Sequence, residues 1–274
     1  MGLSDGLDFA ADWLALREPF DHVARAPAVT AAALAHLAGR DAPLIVDLGC
    51  GRGSGLRFLR PRVPVGARWR LVDRDETLLK AAATALDDRD SVAFRCADLR
   101  REDLADLVAG ADLVTAAALI DLVDAPWLEA LIDAVGAAGA ALLVTGSVDG
   151  RVAWAPAHPD DARMVAAYAR HQGGDKGFGR ALGTAAPARL GELLRARGRR
   201  VTRARGDWAE VGDPVLQRAY LAGVIGALEE AGVPTADLAR WRDARLAHIA
   251  DAASRLTVGH VDLFASPPAG PGGG

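Results

Sequence analysis

The chain is poor in the residues that would staple or tether it. Its 274 residues include two cysteines, Cys50 and Cys96, which lie far apart and form no C-x-x-C pair. A disulfide framework and a cysteine-built zinc site are thereby excluded, and no metal is expected. No run approaches the eighteen or so consecutive apolar residues that a membrane span needs. "AALIDLV" is too short, and "GAAGAALLVTG" is broken by glycine. "MGLSDGLDFAADW" does not join a basic stretch to an apolar one as a secretory leader does, so a cytoplasmic location is expected. A formal net charge of -4 offers no long-range attraction to nucleic acid or anionic lipid. One segment departs from this: "RARGRRVTRAR" at 195–205 packs six arginines into eleven residues. It reads as a solvated helix end and strand edge.

What is present has the composition of a globular enzyme, 51% apolar and 25% charged. Short apolar runs at 43–49, 69–73, 92–98, 111–117 and 139–146 alternate with amphipathic stretches at 54–60, 75–86, 101–108 and 125–136. The runs are apolar on successive residues, as strands covered on both faces must be. Asp75 and Asp103 stand where helix starts need an acceptor, and Gly110 and Gly136 where helices stop. Repeated alternation of this kind predicts parallel βαβ units with helices on both faces. Beyond 146 the rhythm changes. Helices are predicted at 159–171, 184–198 and twice within an insert at about 213–255. Strands are predicted at 199–208 and 257–266, the last alternating and antiparallel at or near a sheet edge. The tail from 267 has nothing to bury.

Two glycine-rich stretches compete for a ligand. "GGDKGFGRALG" (173–183) follows a helix rather than a strand, and its lysine precedes the glycines instead of following them as in a P-loop. It is expected to be a mobile or tightly turned segment near a pocket mouth, where His171, Lys176 and Phe178 face substrate. "VDLGCGRGSG" (46–55) is a strand, a tight turn and a helix start, the construction that aims backbone N–H groups at a ligand. The dinucleotide fingerprint G-x-G-x-x-G fails there, with Ser54 or Leu56 in the third glycine's place according to frame. The pattern is instead Asp47-x-Gly49-x-Gly51-x-Gly53, and an acid at the strand end attracts a cation and repels phosphate.

"VDLGCGRGSG" resembles motif I of the class I S-adenosylmethionine-dependent methyltransferases. "WRLVDRD", with Asp73 and Arg74, "RCADL", with Asp98 and Leu99, and "ADLVTAAALIDLV", with Ala116, follow in that family's order over residues 40–146. The resemblance implies a Rossmann-like α/β fold with a seven-stranded, mostly parallel sheet whose last strand is antiparallel. It implies S-adenosylmethionine as cofactor, with Asp73 on the ribose hydroxyls, Asp98 and Leu99 on the adenine, and Gly49, Gly51 and Asp47 at the turn. The segment 12–26, within N-terminal helices (1–40) that precede a domain at 41–266, is expected to fold over the cofactor. Arg17 would then meet its carboxylate, or pair instead with Glu18 or Asp21. Cys50 stands where the family has small residues and is assigned to packing. The ends of the chain also resemble a bacterial subfamily of these enzymes, without bringing a substrate.

No D/N-P-P-Y/F signature and no magnesium-binding Asp-Asp-Asn pattern follows the fourth strand. The expected reaction is methyl transfer to O or N of a small molecule, with His171 and Asp121 as candidates for proton handling. No nucleic-acid or membrane partner is expected, and a homodimer is left open. Rival readings are a same-fold enzyme with non-methylating chemistry, a cofactor-binding subunit without catalysis, and a nucleotide-binding dehydrogenase.

Overall fold

The computed structural model describes residues 11–84, 86 and 91–268. Two helices open the chain, α1 (Ala11–Ala24) and α2 (Pro27–Leu37). Strands and helices then alternate: β1 (Leu44–Leu48), α3 (Ser54–Leu59), β2 (Arg68–Asp73), α4 (Glu76–Ala83), β3 (Ser91–Cys96), α5 (Leu104–Val108), β4 (Leu113–Ala117), α6 (Ala125–Ala137) and β5 (Ala141–Ala155). After α7 (Asp161–Gln172) and α8 (Ala186–Ala196) come two short strands, β6 (Val201–Arg205) and β7 (Trp208–Val211). Helices α9 (Pro214–Glu230) and α10 (Thr235–Ala250) precede the last strand, β8 (Arg255–Ala265).

The sheet runs β3-β2-β1-β4-β5-β8-β6, with β7 paired to β8 beyond this path. β1 to β5 pair in parallel, and β8 runs antiparallel to β5, β6 and β7. The sheet therefore has eight strands where seven are expected. The difference arises at Gly206, whose N–H donates to the His260 carbonyl and separates β6 from β7.

Burial on both faces explains the apolar runs. Val46 and Leu48 of β1 point into one core, with α5, α6 and α8 above them. Ile45 points into the other, against Val29, Ala33 and Leu37 of α2 and Leu56 of α3. Each such side chain contributes about 1.5–3 kcal/mol relative to exposure. The helix starts are set locally. Asp75 accepts from Thr77 and Leu78 N–H, and Asp103 from Ala105 N–H, as expected from sequence; Asp124 and Asp213 cap α6 and α9 in the same way. Each cap is worth about 1 kcal/mol. Gly136 is not a stop: it lies inside α6, which ends before Gly139 at φ +65°.

Three further expectations are corrected. β5 does not end near 146 but continues to Ala155, passing Gly146 through a register shift against β8. β8 is antiparallel and lies near the sheet edge as expected, one strand in from β6, but it is buried at nearly every residue instead of alternating. The expected 199–208 strand is two strands. From 269 onward the tail lies outside the described residues, as do the first ten. A third core around Trp154, Trp208 and Trp241 joins α7, α9 and α10 to the extended ends of β5 and β8.

Candidate active site

The turn after β1 is built by three glycines in the left-handed region, Gly49 at φ +64°, Gly51 at +52° and Gly53 at +79°. It is fastened to the end of the neighbouring strand. Cys50 N–H donates to the Val72 carbonyl at 3.0 Å, and Gly51 N–H donates to Asp73 Oδ2 at 2.8 Å. Asp73 Oδ1 accepts from Asp75 N–H at 3.0 Å. Burial raises the Asp73 carboxyl above its ordinary value, against these two hydrogen bonds.

Beneath the turn, Asp47 is buried and accepts from Thr115 Oγ1 at 2.6 Å. Burial pushes its carboxyl up to about 6. The first turn of α3 lies directly upon it: a β-carbon at Gly55 would stand 2.7 Å from Asp47 Oδ2. That close approach is the reason the glycine pattern runs on to position 55.

Past β3, Asp98 is gripped by its neighbour. Arg100 Nε and Nη2 donate to its two oxygens at 2.6–3.1 Å, and those bonds hold its carboxyl down at about 2. Leu99 is buried, and its carbonyl accepts from Trp127 Nε1 at 2.8 Å.

These groups border a two-lobed cleft at the carboxyl ends of the parallel strands, where open α/β sheets place ligands. One lobe is lined by Asp73, Arg74, Asp98, Leu99, Leu119 and Phe178. The other is lined by Arg25, Asp47, Cys50, Thr145, His260 and Asp262. Leu14 and Arg17 of α1, Gly49, Gly51, Ala117 and Ala118 border both.

Of the residues picked out in the sequence, Asp47, Gly49, Cys50, Gly51, Asp73, Arg74, Asp98 and Leu99 line this cleft, as does Arg17. Arg17 is already engaged: its Nε and Nη2 donate to Asp21 at 2.7 and 3.1 Å, and its guanidinium lies over Trp13 and Trp208. Ala116 is fully buried within β4, and the next two residues take the lining positions, where the chain turns at Ala118 with φ +50°. Asp121 itself lines neither lobe; Leu119 and Leu122 on either side of it do, and its Oδ1 is buried without a hydrogen-bond partner. Burial pushes Asp121 up to about 6, with Arg17 drawing it down. His171 lines neither lobe. It sits on α7 with Nε2 2.9 Å from Glu230 and Nδ1 3.5 Å from Lys176.

Several cleft residues escape a reading of the sequence. Asp262 accepts from Ala26 and Gly146 N–H, both at 2.8 Å, and His260 packs on Trp208 with its pKa lowered by burial to about 4. Both stand on β8, where polar residues among apolar ones read as a solvent face. Arg25 donates to Thr145 Oγ1 and lies over Phe58. Burial lowers its pKa, and Asp262 is the largest influence raising it. Only its distance from the glycine turn in sequence conceals it.

The comparisons agree with this geometry. Residues 45–138 match the family model described as "Methyltransferase domain". No curated protein matches the chain. Among solved structures, a cyclopropane-fatty-acyl-phospholipid synthase-like protein from Lactobacillus casei is similar at TM-score 0.57 and 18% identity, covering 95% of each chain. A putative methyltransferase from Bacillus halodurans gives 0.53 at 13% identity, covering 87% of this chain and 98% of that one. An O-methyltransferase family protein from Burkholderia thailandensis gives 0.50 at 16% identity; 95% of this chain is covered, and it spans 59% of that protein. At such identities the likeness is one of fold. Residues 45–138 thus match the model of a methyltransferase domain, and the solved structures share its fold.

Proposed function

We propose that the chain transfers the methyl group of S-adenosylmethionine to an oxygen or nitrogen of a small molecule. The observation that carries the cofactor's placement is the cleft itself, in which one glycine turn, Asp73 and Asp98 meet along three consecutive strand ends. The cradle fits closely: a β-carbon at Gly51 would press to 3.3 Å from Leu14, and one at Gly49 to 3.4 Å from Leu119.

The cofactor supplies a methyl carbon activated by a positive sulfur. The protein's part is to bind, align and exclude water. Asp73, with two oxygens already oriented by backbone N–H groups, accepts from the ribose hydroxyls. Asp98 accepts from the adenine amino group, and Leu99 N–H faces the ring. Arg17 and Arg25 border the second lobe and meet the carboxylate; Arg25 has no acid within ion-pair distance among the described residues. α1, through Leu14 and Arg17, caps the cleft.

Asp121 is the proton acceptor. Its unpartnered buried oxygen and its pKa near 6 suit a base at neutral pH better than the Glu230-paired His171. The small-molecule reading is supported by a cleft that α1 borders through Leu14 and Arg17.

The test is release of S-adenosylhomocysteine from S-adenosylmethionine. The low-molecular-weight fraction of a cell extract is expected to support it, and the macromolecular fraction is not; the reverse result overturns the substrate class. Asp121→Asn is expected to lower that turnover by about 10²–10⁴-fold and remove the rise in rate through pH 6, with affinity for S-adenosylhomocysteine unchanged. Calorimetry that finds NADH bound and S-adenosylhomocysteine not bound overturns the cofactor's placement in this cleft.

A further inference from the structure

The second glycine stretch, 173–183, reaches the cofactor lobe through Phe178. Phe178 lines that lobe beside Asp98, Leu99 and Leu122. The segment is a hydrogen-bonded finger. Gly177 N–H donates to Asp175 Oδ1 at 2.7 Å, Asp175 and Arg180 form an antiparallel backbone β-bridge, and Ala181 N–H donates to the Gly174 carbonyl at 3.1 Å. It is pinned to the loop after β4 at three points. Val123 and Phe178 form a backbone β-bridge, Leu182 N–H donates to the Val123 carbonyl at 2.8 Å, and Gly183 N–H donates to the Asp121 backbone carbonyl at 2.9 Å.

Two side chains tie the finger to the groups that face the ring. Phe178 meets Trp127 edge to face, centroids 5.5 Å apart, and Trp127 in turn donates to the Leu99 carbonyl. Beneath the finger's tip, a β-carbon at Gly177 would stand 3.0 Å from Arg100 Nη1. Arg100 is the residue that grips both oxygens of Asp98. The tip, the guanidinium and the carboxylate form one stack, and Gly177, at φ +90°, leaves room for it.

We propose that this finger is the outer wall of the adenine subsite: Phe178 lies against the face of the ring, and Arg100 is a positioning residue that aims Asp98 at its amino group. The inference rests on the cofactor placement given above. An aromatic face binds any purine, whereas an aimed carboxylate accepts from an amino group and repels a ring carbonyl. Affinity and base preference therefore separate onto two residues.

Calorimetric titration with S-adenosylhomocysteine and with S-inosylhomocysteine, which carries a carbonyl in place of the amino group, reads both. The unaltered protein is expected to prefer the adenosyl ligand by at least about ten-fold. Phe178→Leu keeps the packing on Trp127 and is expected to weaken both ligands about ten-fold, leaving the preference intact. Phe178→Trp restores a ring and is expected to bind as the unaltered protein does, with thermal melts verifying that each variant is folded. Arg100→Gln is expected to collapse the preference. The wall is refuted if Phe178→Leu binds both ligands normally, or if folded Phe178→Trp loses as much as Phe178→Leu. The positioning role is refuted if Arg100→Gln keeps the full preference. If the unaltered protein binds neither ligand, the cofactor placement fails, a different result from any of these.

Discussion

Asp73 holds the glycine turn as well as facing the cleft. Its two oxygens take the N–H groups of Gly51 and Asp75, so its removal leaves two backbone donors without an acceptor. Asp73→Ala is expected to weaken S-adenosylhomocysteine binding by about 1.5–3 kcal/mol. It is also expected to lower the unfolding midpoint, and calorimetry and thermal melts read the two effects separately. The motif residues were legible because each answers a local backbone demand: a left-handed φ at Gly49 and Gly51, or a close approach at Gly55. His260, Asp262 and Arg25 were not legible. Their partners, Trp208, Ala26, Gly146 and Thr145, are set by how β5, β8 and α1 meet, and no spacing along the chain encodes that. His171 shows the converse. A histidine leading into a glycine loop suggested chemistry, yet packing of α7 against α9 turned it toward Glu230.

At the scale of elements, the parallel half of the sheet follows from runs that are apolar on every residue. The antiparallel half does not. β5 carries Asp149 and Arg151 in its outer stretch, which read as loop, but both belong to an ion-pair cluster with Asp207. The added length of β5 and β8 is the platform on which α7, α9 and α10 rest. Arg245 holds that assembly: its buried guanidinium donates to both oxygens of Asp161 at 2.6 Å and to the Pro156 carbonyl at 2.6 Å, and lies over Trp154. Removing one partner of a buried pair strands the other charge. Arg245→Ala is expected to cost about 3–5 kcal/mol in urea unfolding. Binding of S-adenosylhomocysteine by the folded fraction is expected to be unchanged, because the cleft is bordered by other elements.

For the whole molecule, the cleft sets how stability depends on pH. Asp47 and Asp121 are pushed from 3.8 up to about 6, so their burial favours the neutral form. The stability they contribute is intact below the unfolded value and is lost as pH rises through 6. His260 is lowered from 6.5 to about 4, so its contribution is intact above 6.5 and is lost as pH falls toward 4. Between about pH 4 and 6 these three groups hold about two protons in the folded chain and about one in the unfolded chain. These three groups should therefore make stability fall by about 1.4 kcal/mol per pH unit near pH 5. The other shifts oppose one another: Asp73 and Asp262 act with the two carboxyls, whereas His22 and His36 act with His260, as do the lowered carboxyls of Asp98, Asp160, Asp207 and Asp237 toward pH 4. Asp121→Asn removes one of the two carboxyl protons and should leave the profile nearly flat, whereas His260→Gln should make it steeper. Urea unfolding at pH 4, 5 and 6 measures all three slopes. Equal slopes in the unaltered protein and Asp121→Asn would show that Asp121 is not held protonated by its burial, and the base assigned to this cleft would have to be sought elsewhere.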